Sequence, residues 1–318
     1  MAQRIPGLAF LFPGQGSQVV GMGKELASNH IVARRTFEEA DDALGYSLST
    51  LCYEGPEEKL RLTEITQPAI LAVSTAAARV LAEAGIAPSF AAGHSLGEYS
   101  AHVAAGTIDF ADALRTVRSR GQYMQEAVPV GAGAMAAILS LGIDKIRAVC
   151  SGSMTEFPGE VCEPANINSP GQVVISGSKA AVEHAAGVCR HHGAKRAIML
   201  PVSAPFHCAL MQPAQERLAT DLHALTFHAP EIPVMCNVDA APVRDAARSR
   251  ETLIRQVTGT VQWENSMRAL IAQGATQFLE AGPGSVLTGL LRQIDKAHTC
   301  LNVENEATLQ KAKAHFGR

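Results

Sequence analysis

Long hydrophobic runs are missing from this 318-residue chain. The first apolar run, Leu8 to Phe12, is five residues long, below the roughly 7–15 residues of a secretory signal core. No uninterrupted apolar stretch approaches the roughly 20 residues that a membrane span requires. An excess of one charge is also missing. The 27 basic and 30 acidic side chains leave a net charge of −3, which excludes a global attraction to nucleic acid or to an anionic membrane. Seven cysteines are scattered along the chain without a C-x-x-C pair. The odd count and wide spacing suggest neither a disulfide framework nor a zinc knuckle, so reduced, packed thiols in a cytoplasmic protein are expected. Internal repeats, low-complexity tracts and long linkers are absent as well. What remains is an ordinary globular composition, 47% hydrophobic and 18% charged, in a length that suits one large domain or a main domain with a smaller insertion.

The pattern along the chain is that of an α/β protein. Leu8 to Phe12 reads as a strand closed by Pro13-Gly14. Helical patterns cover 31–44 and 67–84, the second with Pro68 in its first turn. A short apolar strand at 89–92 follows. Asp109 is placed to cap the next helix with its side chain, and Asp112 falls in the first turn. That helix carries Arg115, Arg118 and Arg120 and ends near Pro129. From about 131 to 200 the order changes to strand 134–139, helix 143–150, strands 161–166 and 172–176, helix 179–192 and strand 196–200. This βαββαβ order is that of a ferredoxin-like unit. A helix at 209–225, a strand at 232–236, helices at 252–257 and 265–273, a final strand at 276–280 and a closing helix complete the chain. Strands alternating with helices imply a parallel sheet covered on both faces. The expected division is therefore 1–130 with 201–318 as the large α/β unit, and 131–200 as the insertion.

The densest chemical signal is Gly93-His94-Ser95-Leu96-Gly97, a G-x-S-x-G pattern between a short strand and a helix. A serine hydroxyl is a weak nucleophile, so it needs an adjacent base and a sharp turn that exposes it. The helix beginning at Leu96 would aim free N–H groups at a developing oxyanion. The base must come from elsewhere in the chain. His191 and His192 end a polar helix, His223 and His228 lie in a helix and its exit, and His94 diverges from Ser95 on the turn. His207 stands in the proline-bounded loop 201–207, where a base and a packed or surface histidine are both open readings. The stretch Phe12 to Gln18 is not a dinucleotide fingerprint, because Val19 occupies the place of the third glycine. It is either a tight turn or a source of an oxyanion N–H. Arg118-Ser119-Arg120-Gly121 taken alone reads as a solvated helix face.

Six ordered blocks carry more information than any one of them. FPGQGSQ at 12–18, GHSLGEYSA at 93–101, RGQYMQEAVP at 120–129, NSPGQVVISG at 168–177, PVSAPFH at 201–207 and the RQ-x4-VQW run at 255–263 together resemble the malonyl-CoA:acyl carrier protein transacylases of fatty acid synthesis. The resemblance covers nearly the whole chain. It implies an α/β-hydrolase-like subdomain with an inserted ferredoxin-like one and a site in the cleft between them. It implies Ser95 as nucleophile, His207 as general base and the backbone carbonyl of Gln256 as the group that orients it. The N–H groups of Gln15 and Leu96 would form the oxyanion hole. Arg120 would fork onto the free carboxylate of a malonyl group, a geometry that lysine does not offer. Leu96 and Phe206 would disfavour a methyl branch, by about 1–3 kcal/mol for one carbon. Asn166, Asn168 and Gln172 would touch coenzyme A or its pantetheine arm. Malonyl-CoA and acyl carrier protein are the implied partners of a monomer, with no cofactor and no metal. Transferases of polyketide synthesis or of malonate decarboxylation share these motifs. A serine esterase or thioesterase would instead place an acidic residue between serine and histidine, where Glu163 and Glu183 fall inside the insertion, and a silent scaffold would dock the carrier without chemistry.

Overall fold

The computed structural model describes residues 3–202 and 204–317; Ser203, in the loop leading to His207, lies outside them. Ten strands form two sheets. The larger contains β1 (Leu8–Phe12), β2 (Phe90–Gly93), β7 (Val234–Met235), β8 (Pro242–Val243), β9 (Gln277–Ala281) and β10 (Cys300–Val303), in the order β10-β9-β1-β2-β7-β8. All neighbours are parallel except β7 and β8. β1 is buried on both faces. Leu8, Phe10 and Phe12 pack into one apolar cluster, while Ala9 and Leu11 pack into another around Trp263, Met267 and Phe278. A run without alternation is what a central parallel strand requires. The register that matters pairs Phe12 with Gly93. It sets the turn after β1 beside the turn after β2, so Gln15 and Ser95 share one end of the sheet.

The second sheet contains β3 (Gly133–Leu139), β4 (Cys162–Ser169), β5 (Gln172–Ser178) and β6 (Arg196–Met199) in the order β4-β5-β3-β6, all antiparallel. Helices Ile143–Glu156 and Lys179–His191 cover one face, closing a separate core of Ile138, Ile146, Ile167, Ile175, Val182 and Cys189. This is the ferredoxin-like topology. The two units are tied by backbone: Ile167 N donates to Val261 O (2.9 Å), and Val261 N donates to Ala165 O (2.8 Å).

Several local expectations are corrected. The helix expected from 67 runs over Thr63–Glu83, so Pro68 lies inside it. Thr66 N already donates to Leu62 O (2.7 Å) and Thr66 Oγ1 to Leu60 O (2.6 Å). These bonds start the helix a turn early, and the proline forfeits a single amide bond within it. By length and composition this helix would cross a membrane, but 78% of its most apolar window is buried inside the fold. Asp109 is the N-cap residue, yet its carboxylate makes no capping bond. The helix expected over 209–225 divides into a 3-10 turn, Ala209–Met211, and an α-helix, Gln212–Ala224, because Pro213 enters at the first turn. The strand at Gln277–Ala281 is not the last: β10 and a helix over Glu306–Phe316 follow. β10 is short and mostly half-buried, so its apolar signal is weak.

The glycines flanking Ser95 are required by close approach. A Cβ on Gly93 would overlap the backbone of Gly97, and one on Gly97 would overlap the Phe12 carbonyl. Gly97→Ala is therefore expected to destabilise the fold by about 3 kcal/mol or more. Gly289→Ala, on the exposed side of helix Val286–Ile294 with open space at its Cβ, is expected to stabilise by up to about 1 kcal/mol. Denaturant midpoints for the two variants check the contrast; equal midpoints would contradict it.

Candidate active site

Ser95 lies in the turn after β2, in left-handed backbone, φ 52°. Its N–H donates to Asn237 Oδ1 (2.7 Å), while Asn237 Nδ2 donates to Gly93 O (2.7 Å). Asn237 thus braces both sides of a turn that a non-glycine residue adopts at a cost. His207 is also left-handed, φ 59°, and only 3% exposed. Ser95 Oγ and His207 Nε2 are 2.7 Å apart. On the other side of the ring, Nδ1 lies 2.9 Å from the Gln256 carbonyl and 3.2 Å from that of Gly259. Carbonyls only accept, so the proton sits on Nδ1 and Nε2 is free to accept from the serine. Burial, and then the nearby Arg120 charge, push the imidazole down to about 3, against the smaller upward pull of the two carbonyls. The ring is therefore a neutral base at any physiological pH.

Arg120 is not on a solvated helix face. It is 2% exposed in helix Phe110–Glu126 and points inward. Nη1 donates to Gln67 Oε1 (2.7 Å), and Nη2 donates to Gln256 Oε1 (3.0 Å) and to Ser95 Oγ (3.1 Å). Its Nε has no hydrogen-bond partner, and no carboxylate forms an ion pair with it among the described residues. On the same helix Arg115 is exposed and paired with Asp112 (2.6 Å), and Arg118 is half-buried over the Tyr46 ring.

Ser95, His207 and Arg120 line a cavity of about 910 Å³ between the two units. Gln15 and Leu96 line it as well, and among the described residues their backbone N–H groups donate to no protein acceptor. Asn166 and Phe206 complete the wall from the insertion and its return loop. Two of the expected residues lie outside the cavity lining. Asn168 does not line the cavity; its Oδ1 is taken by His94 Nε2 (2.8 Å), which ties the serine turn to the insertion. Gln172 begins β5, paired with Leu139 and Ser169 and away from the cavity. Neither acidic candidate bonds to the imidazole among the described residues: Glu163 accepts from Ala209 N (2.9 Å) and Glu183 faces Lys179.

A layer beneath the serine was not expected from the sequence. Glu98, fully buried, accepts from Gln256 Nε2 (2.7 Å) and from Asn237 N (3.0 Å). Burial raises its carboxyl to about 7, opposed by those bonds and by Arg120. The side chains of Gln67, Asn237 and Gln256 belong to the same layer. Only Glu98 left a trace in the sequence: the one acidic residue of a short helix, three positions after the serine.

A neutral imidazole on a strained serine hydroxyl, beside a cation and two unused N–H groups, belongs to an α/β enzyme that handles acyl groups. The Acyl transferase domain family matches residues 9–313, and the chain belongs to that family. It is 50% identical over 305 residues to the malonyl CoA-acyl carrier protein transacylase of Salmonella typhimurium, covering 96% of this chain and 98% of that one. An acyl carrier protein S-malonyltransferase structure from Vibrio cholerae superposes with a TM-score of 0.94 at 49% identity, over 96% of this chain and all of that one. A malonyl-transacylase solved in complex with its type II PKS acyl-carrier protein gives a TM-score of 0.94 at 48% identity, over 97% and 99% of the two chains.

The buried titratable groups make stability depend on pH. His207 and the wholly buried, unpartnered His102 are both held near 3, and burial lowers His94 as well, so below pH 6.5 the unfolded chain takes up at least two protons that the fold refuses. Glu98, held near 7, works the other way with one proton. The balance leaves the unfolded state richer in protons, so stability should fall as pH drops from 6 to 5, by about 1–2 kcal/mol per pH unit. Denaturant unfolding across that range checks the slope, and imidazole NMR titration should find both rings neutral at pH 5.

Proposed function

We propose that this acyltransferase moves a malonyl group from malonyl-CoA to the pantetheine thiol of acyl carrier protein through a malonyl ester on Ser95. The observation that carries the reading is Arg120: a buried cation with no carboxylate partner, whose Nη2 is 3.1 Å from Ser95 Oγ. An acyl group that brings its own carboxylate supplies the missing anion, whereas a neutral acyl group leaves the charge uncompensated. The names of the relatives from Salmonella typhimurium and Vibrio cholerae point the same way.

In this mechanism Ser95 Oγ attacks the thioester carbonyl while its proton passes to His207 Nε2. The N–H groups of Gln15 and Leu96 receive the oxyanion. Collapse breaks the C–S bond, and the imidazolium returns its proton to the leaving thiolate of coenzyme A. The carrier thiol then attacks the acyl-serine and the proton path runs in reverse: the thiol proton passes to His207 Nε2, the C–O bond to Ser95 breaks, and the imidazolium returns the proton to Ser95 Oγ. Gln256 and Gly259 keep the imidazole in the required tautomer through their carbonyls. Leu96 and Phe206 limit width beside the reacting carbon, and Asn166 is the insertion's contact to the pantetheine arm. Coenzyme A enters as substrate, and the reading calls on no cofactor. The carrier serves either fatty acid or polyketide synthesis, as the relative solved with a type II PKS carrier indicates for its own case. Seven free thiols among the described residues fit a reducing compartment, and we place the protein in the cytoplasm as a monomer.

Intact-protein mass spectrometry after brief mixing with malonyl-CoA or acetyl-CoA tests the reading. A malonyl-sized adduct is expected on the wild type and none on Ser95→Ala; consumption of malonyl-CoA without an adduct would mean hydrolysis instead. Arg120→Ala should slow malonyl loading by about 10–100-fold, the worth of a charge-assisted pair, while acetyl loading is unchanged or faster. Equal losses for both donors would assign Arg120 a structural role.

A further inference from the structure

The Gln256 side chain joins the cation to the serine turn, and its two ends are the same size. Only its partners decide which end faces which way. Nε2 faces three acceptors: Glu98 Oε2 (2.7 Å), the Ser95 carbonyl (2.9 Å) and Asn237 Oδ1 (3.5 Å). Oε1 is thereby left for Arg120 Nη2 (3.0 Å). Turned over, the amide would set NH2 against guanidinium and oxygen against carboxylate. Of the three acceptors, the Glu98 contact is the shortest and is charge-assisted when the group is ionised. The Ser95 carbonyl and the Asn237 oxygen are neutral acceptors, and the latter is already occupied by the Ser95 N–H, whereas an ionised carboxylate brings a full charge to the contact.

We propose that Glu98 is a positioning residue for the transfer reaction: by accepting from the Gln256 amide it fixes the end presented to Arg120, and so holds the guanidinium against Ser95. A second arm runs through Asn237. Glu98 Oε2 accepts from Asn237 N (3.0 Å), and Asn237 Oδ1 accepts from the N–H of the strained serine (2.7 Å). Glu98 reaches both arms because it occupies the first turn of helix Gly97–Ala104, facing the interior with no exposed surface. The two arms differ in what they control. The Asn237 arm supports the nucleophile and affects every acyl donor. The Gln256 arm also touches the Ser95 carbonyl, but through Arg120 it weighs chiefly on donors that carry a carboxylate. This inference rests on the malonyl-transfer reading above.

The test compares malonyl and acetyl loading rates in the wild type, Glu98→Ala, Glu98→Asp, Glu98→Gln, Gln256→Ala and the Glu98→Ala/Gln256→Ala double variant, each with its melting temperature. Glu98→Ala should slow malonyl loading about 100-fold and acetyl loading about tenfold, a tenfold loss of donor preference of the size seen when one buried charge-assisted bond is lost. Glu98→Asp withdraws the acceptor by one methylene without emptying the site, and should show the same loss of preference if Glu98→Ala does not fold. Glu98→Gln can keep an oxygen toward both donors and should restore the preference to within about threefold of wild type. Gln256→Ala retains its backbone carbonyl and should lose preference about tenfold, with less than about twofold further loss in the double variant, because both changes break one path. Wild-type preference in Glu98→Asp, no rescue by Gln, or losses that multiply in the double variant would each overturn the proposal. A wild type that loads no malonyl would instead overturn the functional reading itself.

Discussion

Sealing a guanidinium away from water costs several kcal/mol unless the charge is met inside the protein. Among the described residues Arg120 is met by neutral groups: the side-chain oxygens of Gln67 and Gln256, the hydroxyl of Ser95 and the face of the Tyr99 ring. Amide oxygens carry only partial charge, so they reduce the penalty without cancelling the field. The nearest buried anion, Glu98, acts across the Gln256 amide rather than in contact. Much of the site follows from this half-compensated charge. It depresses the neighbouring His207, it holds Glu98 below the value that burial alone would impose, and it leaves the cavity attractive to an anion at the serine itself.

The fold makes such an arrangement possible by bringing separate segments to one sheet edge. Phe12 beside Gly93 in parallel register aligns two turns, and helix Phe110–Glu126 drives Arg120 in from one side. The loop after the insertion delivers His207, and helix Ala246–Gln256 ends with the carbonyl and amide that hold both. Ser95 and His207 each sit in left-handed backbone without being glycine. Such strain survives only where surrounding bonds over-determine it. For Ser95 those bonds come from Asn237 and Gln256, and for His207 from the carbonyls of Gln256 and Gly259. Residue 256 thus steadies both reacting groups through different atoms.

Much of the fold was legible from the sequence because apolar periodicity and turn residues are local signals. The βαββαβ order of the insertion and the central strand Leu8–Phe12 could be read that way. Pro68 and β10 could not: the first sits in a helix whose start is fixed by bonds to Leu60 and Leu62, and the second is a short, half-buried edge strand. In the site, Ser95 carried its own motif, but a packed role for His207 stayed open until the six blocks were taken together. The layer of Gln67, Glu98 and Asn237 left almost no trace. Those residues are common in ordinary helices and turns, and what distinguishes them is that they meet neighbours as far as 53 to 158 positions away. Asn168 and Gln172 lay in a block that invited a ligand contact, yet register and His94 turn them elsewhere.

The missing acid of the imidazole is the last consequence of the buried charge. A carboxylate at the place of the Gln256 carbonyl would stand near Arg120, pair with it and remove the cation from reach of a ligand. A neutral carbonyl orients the ring without that competition. It also stabilises an imidazolium less than a carboxylate would. In the proposed mechanism that is compatible with the task, because the imidazolium returns its proton to the departing coenzyme A thiolate in the first half-reaction and to the departing Ser95 oxygen in the second, and a poorly stabilised imidazolium gives its proton up readily. Exchange between two thiols is close to symmetric and needs no strong commitment in either direction. The choice of a carbonyl over an acid and the choice of a dipole-held arginine are therefore one electrostatic solution: the single anion the cavity accepts is the one carried by the acyl group.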